Sequence, residues 1–418
     1  MKTDPHYWLM SRPMHGSATA LRQHGAFLIT FALFMLFLLG FMGIALDFGR
    51  LFVVKTELQT AMDSCALAAA RELNGQSDAI TRAQSAGMTA GNSNNANLQS
   101  ANWNGQGKLT ATDTYIRFRK QDYLTSTSDG KLARYAECQY TMSSIKLWLL
   151  QAMGAFTGDS VNWPNTGTVG ARAVATRAPS QTACPIPVQF KKSKFDALNS
   201  SAGGGKGTWI VALTKSGSGS DFGWANLDGS NSAPETWSEL EGKYCNTQFP
   251  KLPIGTSGVV TSAFEYWNHR FGIYKKINDT DGPEISRPDF TGYAYTPKNW
   301  NSSTGNAYPD FVAKRQAFVS CNSGASDCEA KKNVEVIDST QLAKYGADRR
   351  LVLVPVVIDA TGQVVNFACM LMLQPIPNPI KEDIYLEYRG NATDLDSPCT
   401  TTGLAGSTNG PLVPVLVR

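Results

Sequence analysis

The sequence predicts an α+β protein with one N-terminal transmembrane helix. The transmembrane helix continues beyond the span as part of one long helix. An α+β region and a mainly antiparallel β exported region follow it. Two observations lead to this class. An uncharged apolar run occupies residues 26–46, and beyond residue 180 short β-branched and aromatic runs alternate with Gly/Ser/Asn/Pro loops. Eight cysteines in a chain with a membrane-targeting segment favour an oxidising compartment.

Composition excludes some classes of partner. Lys plus Arg is 38 against 34 Asp plus Glu, and the excess is spread along the chain, so the sequence predicts no nucleic-acid partner. Charged residues make up 17% and aromatic residues 10%, a balance typical of secreted, strand-rich proteins. The 418 residues leave room for one large or two ordinary exported domains after the membrane segment.

The apolar run is interpreted as a membrane anchor. No charged side chain lies between Arg22 and Asp47, and residues 26–46 match the roughly 20 residues that a helix needs to cross about 30 Å of hydrocarbon. A cleavable secretory signal has a shorter apolar region followed by a small-x-small cleavage site. A soluble core helix would have to be apolar on every face for about six turns. The sequence therefore predicts a transmembrane helix over 26–46.

The flanking charges predict the orientation. Lys2, Arg12 and Arg22 precede the span, and only Asp4 opposes them. We therefore expect a cytoplasmic segment over 1–25 and an inner-membrane protein whose C-terminal region is periplasmic or on the cell surface.

The helical pattern continues beyond the span. Residues 47–75 are predicted as an emergent helix, with Gly75 as its C-terminal stop. Small side chains along one face permit close approach of another element. They are Ala61, Cys65, Ala68 and Ala69. This face would pack either on the chain's own exported domain or on a second copy in a homo-oligomer, and the sequence leaves both open.

Residues 76–180 are predicted as an α+β domain. A short helix is expected over 77–90, and Asp129-Gly130 separates two strand-like runs that would form a hairpin. The stretch "SSIKLWLLQAMGAF" has a helical pattern, and we expect its large apolar side chains to lie in the core. They are Ile145, Leu147, Trp148, Leu149 and Met153.

Residues 181–418 are predicted as a β-rich exported domain with long loops. "LVLVPVVIDATGQVVNFACMLML" has the pattern of a buried hairpin with its turn at 359–363. Pro355 would place its strand at an edge or a bulge, because proline donates no ladder hydrogen bond.

The N-terminal residues resemble a known family. The stretch from Arg22 to Gly75, with its "ALDFGR" exit at Ala45–Arg50 and its "TELQTAMDSCALAAA" helix at Thr56–Ala70, is similar to the TadE/TadG-like Flp (tight adherence) pilus-assembly family, in its TadG-like branch. The resemblance implies a bitopic envelope protein that takes part in assembly or anchoring of adhesive pili. Its partners would be other Tad pilus-assembly proteins or pilin subunits, together with inner-membrane lipid.

One position departs from the processed relatives of this family. The resemblance implies a prepilin-like junction at Gly25 and Ala26, where processed subunits carry Glu at the fifth position after the cut. Here that position is Thr30. We therefore expect the junction to stay uncleaved and the N-terminal segment to remain as an anchor.

One motif supports an alternative function. "DGSNS" fits the DxSxS pattern of a cation-dependent adhesion site, in which Asp228, Ser230 and Ser232 would be ligands. The same residue types are favoured in turns, and the loop-rich sequence that follows does not fit such a domain. The alternative reading is a cation-dependent surface adhesin.

The sequence predicts no enzyme and no cofactor. Beyond the span, His269 is the one histidine, and it is interpreted as a packed or surface residue. CxxC-like spacing is absent from the sequence, which gives no reason to expect zinc. Eight cysteines allow about a hundred connectivities, so only Cys321 and Cys328, which would close a short Gly/Ser loop, are predicted as a pair. The predicted function is pilus assembly or anchoring through protein–protein contacts.

Overall fold

The computed structural model describes residues 24–105, 107–159, 161–214, 222–227, 233–243, 245, 261–300, 305–324, 326–328, 334–401 and 403–417. These residues form two compact units. One unit comprises the described part of residues 1–56 together with 142–169, and the other comprises the described part of 57–141 and 170–418. We name them the membrane-proximal unit and the exported unit, after the locations that the sequence predicts.

Eight α-helices and twelve strands occupy the described residues. The helices are α1 (His24–Arg71), α2 (Ala79–Asn92), α3 (Trp148–Thr157), α4 (Lys192–Asn199), α5 (Ala233–Leu240), α6 (Phe264–His269), α7 (Tyr308–Gln316) and α8 (Ser339–Tyr345). The strands are β1 (Ile116–Arg119), β2 (Tyr135–Lys146), β3 (Thr166–Pro179), β4 (Val188–Lys191), β5 (Trp209–Leu213), β6 (Phe222–Trp224), β7 (Ile273–Tyr274), β8 (Glu335–Val336), β9 (Leu351–Val357), β10 (Val364–Met372), β11 (Ile384–Asn391) and β12 (Leu412–Leu416). Short 3₁₀ turns lie at Trp103–Gly105, Ala202–Gly205 and Thr261–Ala263. The predicted α+β class with one candidate membrane helix is confirmed.

Helix α1 joins the predicted span and the predicted emergent helix into one element of 48 residues. It ends at Arg71, a basic residue in the last turn, where a cation interacts favourably with the helix dipole. Gly75 follows with φ +76, a left-handed conformation that glycine adopts without strain. The predicted stop at Gly75 therefore lies just beyond the observed helix end.

In the exported unit, the small-residue face of α1 packs on α2. A Cβ atom added at Gly87 would lie 3.1 Å from the Cβ of Ala69 and 3.1 Å from the carbonyl oxygen of Cys65. One added at Gly91 would lie 3.1 Å from the Cβ of Cys65. Two glycines four positions apart on α2 thus allow its backbone to approach the face that includes Ala61. The sequence left open whether this face packs on the chain's own exported domain or on a second copy. In the structure it packs within the chain, on α2.

Two further contacts attach α1 to the four-stranded sheet, whose order is β1-β2-β3-β12. Cys65 forms a disulfide with Cys138 in β2. The Gln59 side-chain amide donates a hydrogen bond of 2.9 Å to the Arg172 carbonyl in β3. Strands β1 and β2 pair antiparallel, with Ile116 opposite Cys138, and Asp129-Gly130 lies in their connection as predicted.

A buried carboxylate links three strands of this sheet. Glu137 is 2% exposed, and its oxygens lie 2.7 Å from guanidinium nitrogens of both Arg119 and Arg172. Burial opposes ionisation of Glu137, but the Arg172 and Arg119 guanidinium groups outweigh it and hold the pKa of the carboxyl below its usual range. The group is therefore ionised at neutral pH and binds β1, β2 and β3 together.

The six-stranded sheet carries the main core of the exported unit. Its order is β5-β11-β10-β9-β4-β6, and every pair is antiparallel except β4 with β9. Strands β9 and β10 are buried along most of their length, as the predicted buried hairpin requires. The expected mainly antiparallel region is present.

The edge position expected for Pro355 is wrong, because its strand β9 lies inside the sheet between β10 and β4. The alternative, a bulge, is present nearby: the β9–β10 register shifts between Val364 and Asn366, beside the pair of Phe367 with Pro355. The Leu353 carbonyl accepts a hydrogen bond from the Ile186 N–H, on the β4 side of the strand. Peptide groups two residues apart in a strand face the same neighbour, so the missing N–H of Pro355 also faces β4 and not the long β10 ladder. Beside it, β4 is paired over only a few residues.

The predicted helix in "SSIKLWLLQAMGAF" begins later than expected. Residues up to Lys146 continue strand β2, and only Trp148–Thr157 is helical. Leu147 is buried, but Trp148 is 63% exposed and Leu149 40% exposed, so their expected place in the core is wrong. Apolar periodicity reports a face that avoids water, and it does not say whether protein or lipid covers that face.

We predict that Gly87→Ala lowers the free energy of unfolding of the exported unit by about 1–3 kcal/mol, because the added methyl group would overpack the α1–α2 contact. Chemical denaturation of the detergent-solubilised chain with its disulfides intact measures this. Gly49→Ala is the matched control: it is also in a helix, and its Cβ would meet no atom within 4 Å. Equal stability of the two variants would contradict the packing described.

Candidate functional site

The N-terminal half of α1 presents apolar side chains on all sides. Within the described residues, α1 is the one helix long and apolar enough to cross a membrane, and only 6% of its most apolar 18-residue window is buried. Phe27 and Phe52 are each 72% exposed, and large aliphatic and aromatic side chains between them are similarly open. Exposing this much apolar surface to water is costly, at roughly 25 cal/mol per Å². This half of α1 therefore requires an apolar environment.

Asp47 closes this apolar run, and its carboxylate is buried in the membrane-proximal unit. The residue is only 5% exposed. Its Oδ2 accepts hydrogen bonds from the backbone N–H groups of Leu149, at 3.0 Å, and Leu150, at 2.8 Å. Both donors belong to the first turn of α3, whose own N-cap residue Leu147 supplies no side-chain acceptor.

Asp47 thus caps a helix from a distant part of the chain. The first N–H groups of any helix lack partners within that helix, and a carboxylate there satisfies them and also interacts favourably with the helix dipole. A capping side chain normally belongs to the residue just before the helix. In this chain the cap belongs to α1, so the end of the apolar run is attached directly to α3.

Two neighbouring contacts support the attachment. A Cβ atom added at Gly43 would lie 3.1 Å from the Cβ of Leu149, so glycine at this position allows α3 to approach α1. The Arg50 guanidinium lies 4.9 Å from the centroid of the Trp148 ring, within the range of a cation–π interaction. Gly43, Asp47 and Arg50 therefore contact the first turn of α3 from consecutive turns of α1.

Helix α3 itself is apolar and partly uncovered. From Leu147 to Gly158 the sequence contains no charged residue. Trp148 and Leu149 are exposed, and Val161, shortly after the helix, is 87% exposed. The membrane-proximal unit thus presents a second apolar surface beside the end of the apolar run.

The backbone of the predicted prepilin-like junction lies within the described residues. Helix α1 begins at His24 and runs through Gly25 and Ala26. The Thr30 hydroxyl donates a hydrogen bond of 3.0 Å to the Phe27 carbonyl within the helix. The backbone around the junction is therefore helical.

The other sequence candidates lie in the exported half of the chain. Asp228, Ser230 and Ser232 fall outside the described residues. Cys321 and Cys328 form a disulfide with Cα atoms 5.4 Å apart. The remaining pairs are Cys65–Cys138, Cys184–Cys245 and Cys369–Cys399, so all eight cysteines are oxidised.

His269 is a packed residue. It is 3% exposed and contacts the rings of Tyr266 and Tyr274. Burial lowers the pKa of His269 to about 4, so the imidazole is neutral at neutral pH.

Sequence reasoning missed the role of Asp47, although a signal was present. Asp47 is the first carboxylate after the apolar run, and a charge at that position needs either water or a buried partner. The partner is the first turn of α3, about a hundred residues further along the chain, and no local pattern specifies that contact.

We predict that Asp47→Ala destabilises the first turn of α3 by about 1 kcal/mol, through loss of the cap. Amide hydrogen exchange at Leu149 and Leu150 in a reconstituted bilayer should accelerate about fivefold, the factor that corresponds to this energy. Asp47→Asn keeps a side-chain acceptor and should retain most of the protection. Asp63→Ala, which removes another carboxylate of α1, should leave both amides unchanged. Unchanged exchange in Asp47→Ala would show that the cap contributes nothing.

Comparison with known proteins finds a family match on the helix that carries this site. No curated protein and no solved structure matches the chain. Residues 25–72 match the Tad family model, described as Flp pilus-assembly TadE/G-like. The match covers α1 almost from end to end, from the predicted junction to the last turn. This family is one of pilus assembly and not of enzymes. The helix that presents the apolar surface and carries Asp47 is therefore the part of the chain that is similar to the TadE/G-like Flp pilus-assembly family.

Proposed function

We propose that the protein is an inner-membrane-anchored envelope protein of the TadG-like branch that takes part in assembly or anchoring of Tad/Flp adhesive pili through protein–protein contacts. One observation carries the proposal: the family match at residues 25–72 coincides with a helix whose first half is apolar and uncovered. The match supports the pilus-assembly role, and the uncovered half supports the anchor.

Two features support export of the C-terminal region. All eight cysteines are paired as disulfides, which persist in oxidising compartments such as the bacterial periplasm. Lys2, Arg12 and Arg22 precede the span, and basic residues favour the cytoplasmic side. The orientation that we propose has the N-terminus inside and the disulfide-bonded exported unit outside the inner membrane.

The N-terminal segment is proposed to stay attached. Thr30 replaces the carboxylate that processed family relatives carry at this position, so its side chain cannot provide the same charge. A retained segment keeps the basic residues before the span, which hold the anchor in its orientation.

The proposed partners are Tad pilus-assembly proteins or pilin subunits. The small-residue face of α1, which the sequence also allowed as a contact with a second copy, already contacts α2 at Gly87 and Gly91. Partner contacts are therefore assigned to other surfaces, of which the exposed side chains on α1 near Phe52 lie within the matched segment.

Helix α3 is proposed to lie on the outer surface of the membrane. Asp47 and Gly43 hold its first turn beside the end of the apolar run of α1. Its exposed Trp148 and Leu149 would enter the interfacial region, where tryptophan is enriched in membrane proteins. Because α3 has no charged residue, this contact would depend on apolar burial and not on attraction to anionic lipid.

We predict that Trp148 contacts lipid. In vesicles that contain brominated lipid, quenching of the tryptophan fluorescence should fall clearly in Trp148→Phe, because one lipid-accessible indole of the nine tryptophans is removed. Trp300→Phe is the matched control, since Trp300 lies in the exported unit and donates to the Gly305 carbonyl. Equal quenching in the two variants would place α3 away from the bilayer.

We predict that a photo-reactive residue at Phe52 crosslinks to a Tad pilus-assembly component in the native envelope. Phe52 is exposed and lies in the matched segment. A probe at Leu124, 80% exposed but outside that segment, is the control for collision with abundant envelope proteins. Adducts at Phe52 that contain no Tad component, together with normal piliation after deletion of the protein, would rule out the proposed function.

A further inference from the structure

A buried histidine and two carboxylates converge at the end of α6 in the exported unit. Glu265 and His269 are four residues apart on this helix and therefore share one face. Asp281 comes from the turn that follows β7. The Nε2 atom of His269 lies 3.3 Å from Oδ1 of Asp281, and one ligand atom from each of the three residues lies within 4.8 Å of the other two.

The imidazole nitrogens of His269 are buried without hydrogen-bond partners among the described residues. The residue is only 3% exposed. The approach of Nε2 to Asp281 is close but lacks hydrogen-bond geometry. A buried polar atom without a partner destabilises the fold, so an additional atom that bonds to the imidazole is expected at this site.

The His269 ring and the backbone of Asp281 are held in place by their surroundings. The Asp281 backbone N–H donates to Asn278 Oδ1 at 2.9 Å, and the Asp281 carbonyl accepts from the Asn278 N–H at 2.7 Å, which closes the turn. The His269 ring stacks on Tyr274, with centroids 4.7 Å apart, and the Tyr274 hydroxyl donates to the Ser286 carbonyl at 2.7 Å. A site whose ligands are already positioned loses little freedom when an ion binds.

We propose that Glu265, His269 and Asp281 bind a divalent first-row transition metal ion of the zinc class. Two ligands about 2.0–2.1 Å from a tetrahedral ion lie about 3.3 Å apart, which agrees with the Nε2–Oδ1 separation. The imidazole nitrogen favours zinc-class ions over Mg²⁺ and Ca²⁺, which prefer oxygen ligands throughout. The two carboxylates balance the charge of the ion, and a water molecule would complete the four ligands.

The site would join α6 to the turn after β7. Glu265 and His269 are fixed by α6, and Asp281 lies beyond the two residues of β7. An ion held by all three therefore stabilises the fold of this part of the exported unit. Zinc is not expected from the sequence, because CxxC-like spacing is absent and the third ligand is separated from the helix.

Zinc chloride added to the chelator-treated full chain in detergent tests the proposal. Competition with a chromophoric chelator measures affinity and stoichiometry, and a thermal melt measures stabilisation. The wild-type chain should bind zinc at one site and melt at a higher temperature. Glu265→Gln and Asp281→Asn should each weaken that binding at least about tenfold and abolish the stabilisation.

Asp279→Asn is the matched control, since Asp279 is an exposed carboxylate of the same turn and is not one of the three ligands. It should bind zinc as the wild type does. Because His269 is buried, His269→Phe, which keeps a ring against Tyr274, is used only if circular dichroism shows it to be folded. Folded wild-type protein that binds no zinc, or binding that is undiminished in both Glu265→Gln and Asp281→Asn, overturns the assignment.

Discussion

The two halves of α1 need different environments, and the rest of the structure is built around this constraint. Its first half presents apolar side chains to the outside, with 6% of the most apolar window buried. Its second half lies in the core of the exported unit, where Leu58, Met62 and Cys65 are fully buried. A continuous helix satisfies its own backbone groups in lipid and in protein alike, so one element serves in both. The family match at residues 25–72 covers both halves.

The change of environment occurs near Asp47, which explains the contacts found there. A carboxylate at the end of an apolar run has little water available and is costly to bury alone. The N–H groups of Leu149 and Leu150 need an acceptor from outside α3, because the first turn of a helix lacks internal acceptors. The hydrogen bonds of 3.0 and 2.8 Å from these N–H groups to the Asp47 carboxylate satisfy the donors and the acceptor, and they hold α3 beside α1.

Local sequence patterns predicted the helices and strands well, but they predicted less well what surrounds each of them. The long helix, the hairpin around Asp129-Gly130 and the buried β9–β10 pair follow from periodicity and turn residues. Trp148 was expected in a core and is exposed, since its sequence shows only that its face avoids water. Pro355 was expected at an edge or a bulge, and the choice between them depends on the order of the strands: β9 is internal, and the β9–β10 ladder has a register shift near Pro355.

Contacts between distant residues were the least predictable part of the candidate sites. The Asp47 cap joins positions about a hundred residues apart, and three of the four disulfides could not be chosen among about a hundred connectivities. Of the residues near His269, the spacing of Glu265 on the same helix was readable from sequence. The position of Asp281 was not, because it depends on how the chain turns after β7.

The proposed function depends on the retention of α1, with the residues before it, as the membrane anchor. The most direct test is the intact mass of the protein extracted with detergent from its native membrane, with disulfides preserved. We expect a mass that includes residues 1–25. A mature chain that begins at Ala26 would contradict it, because the basic residues before the span would be lost and the helix would be free to enter a fibre.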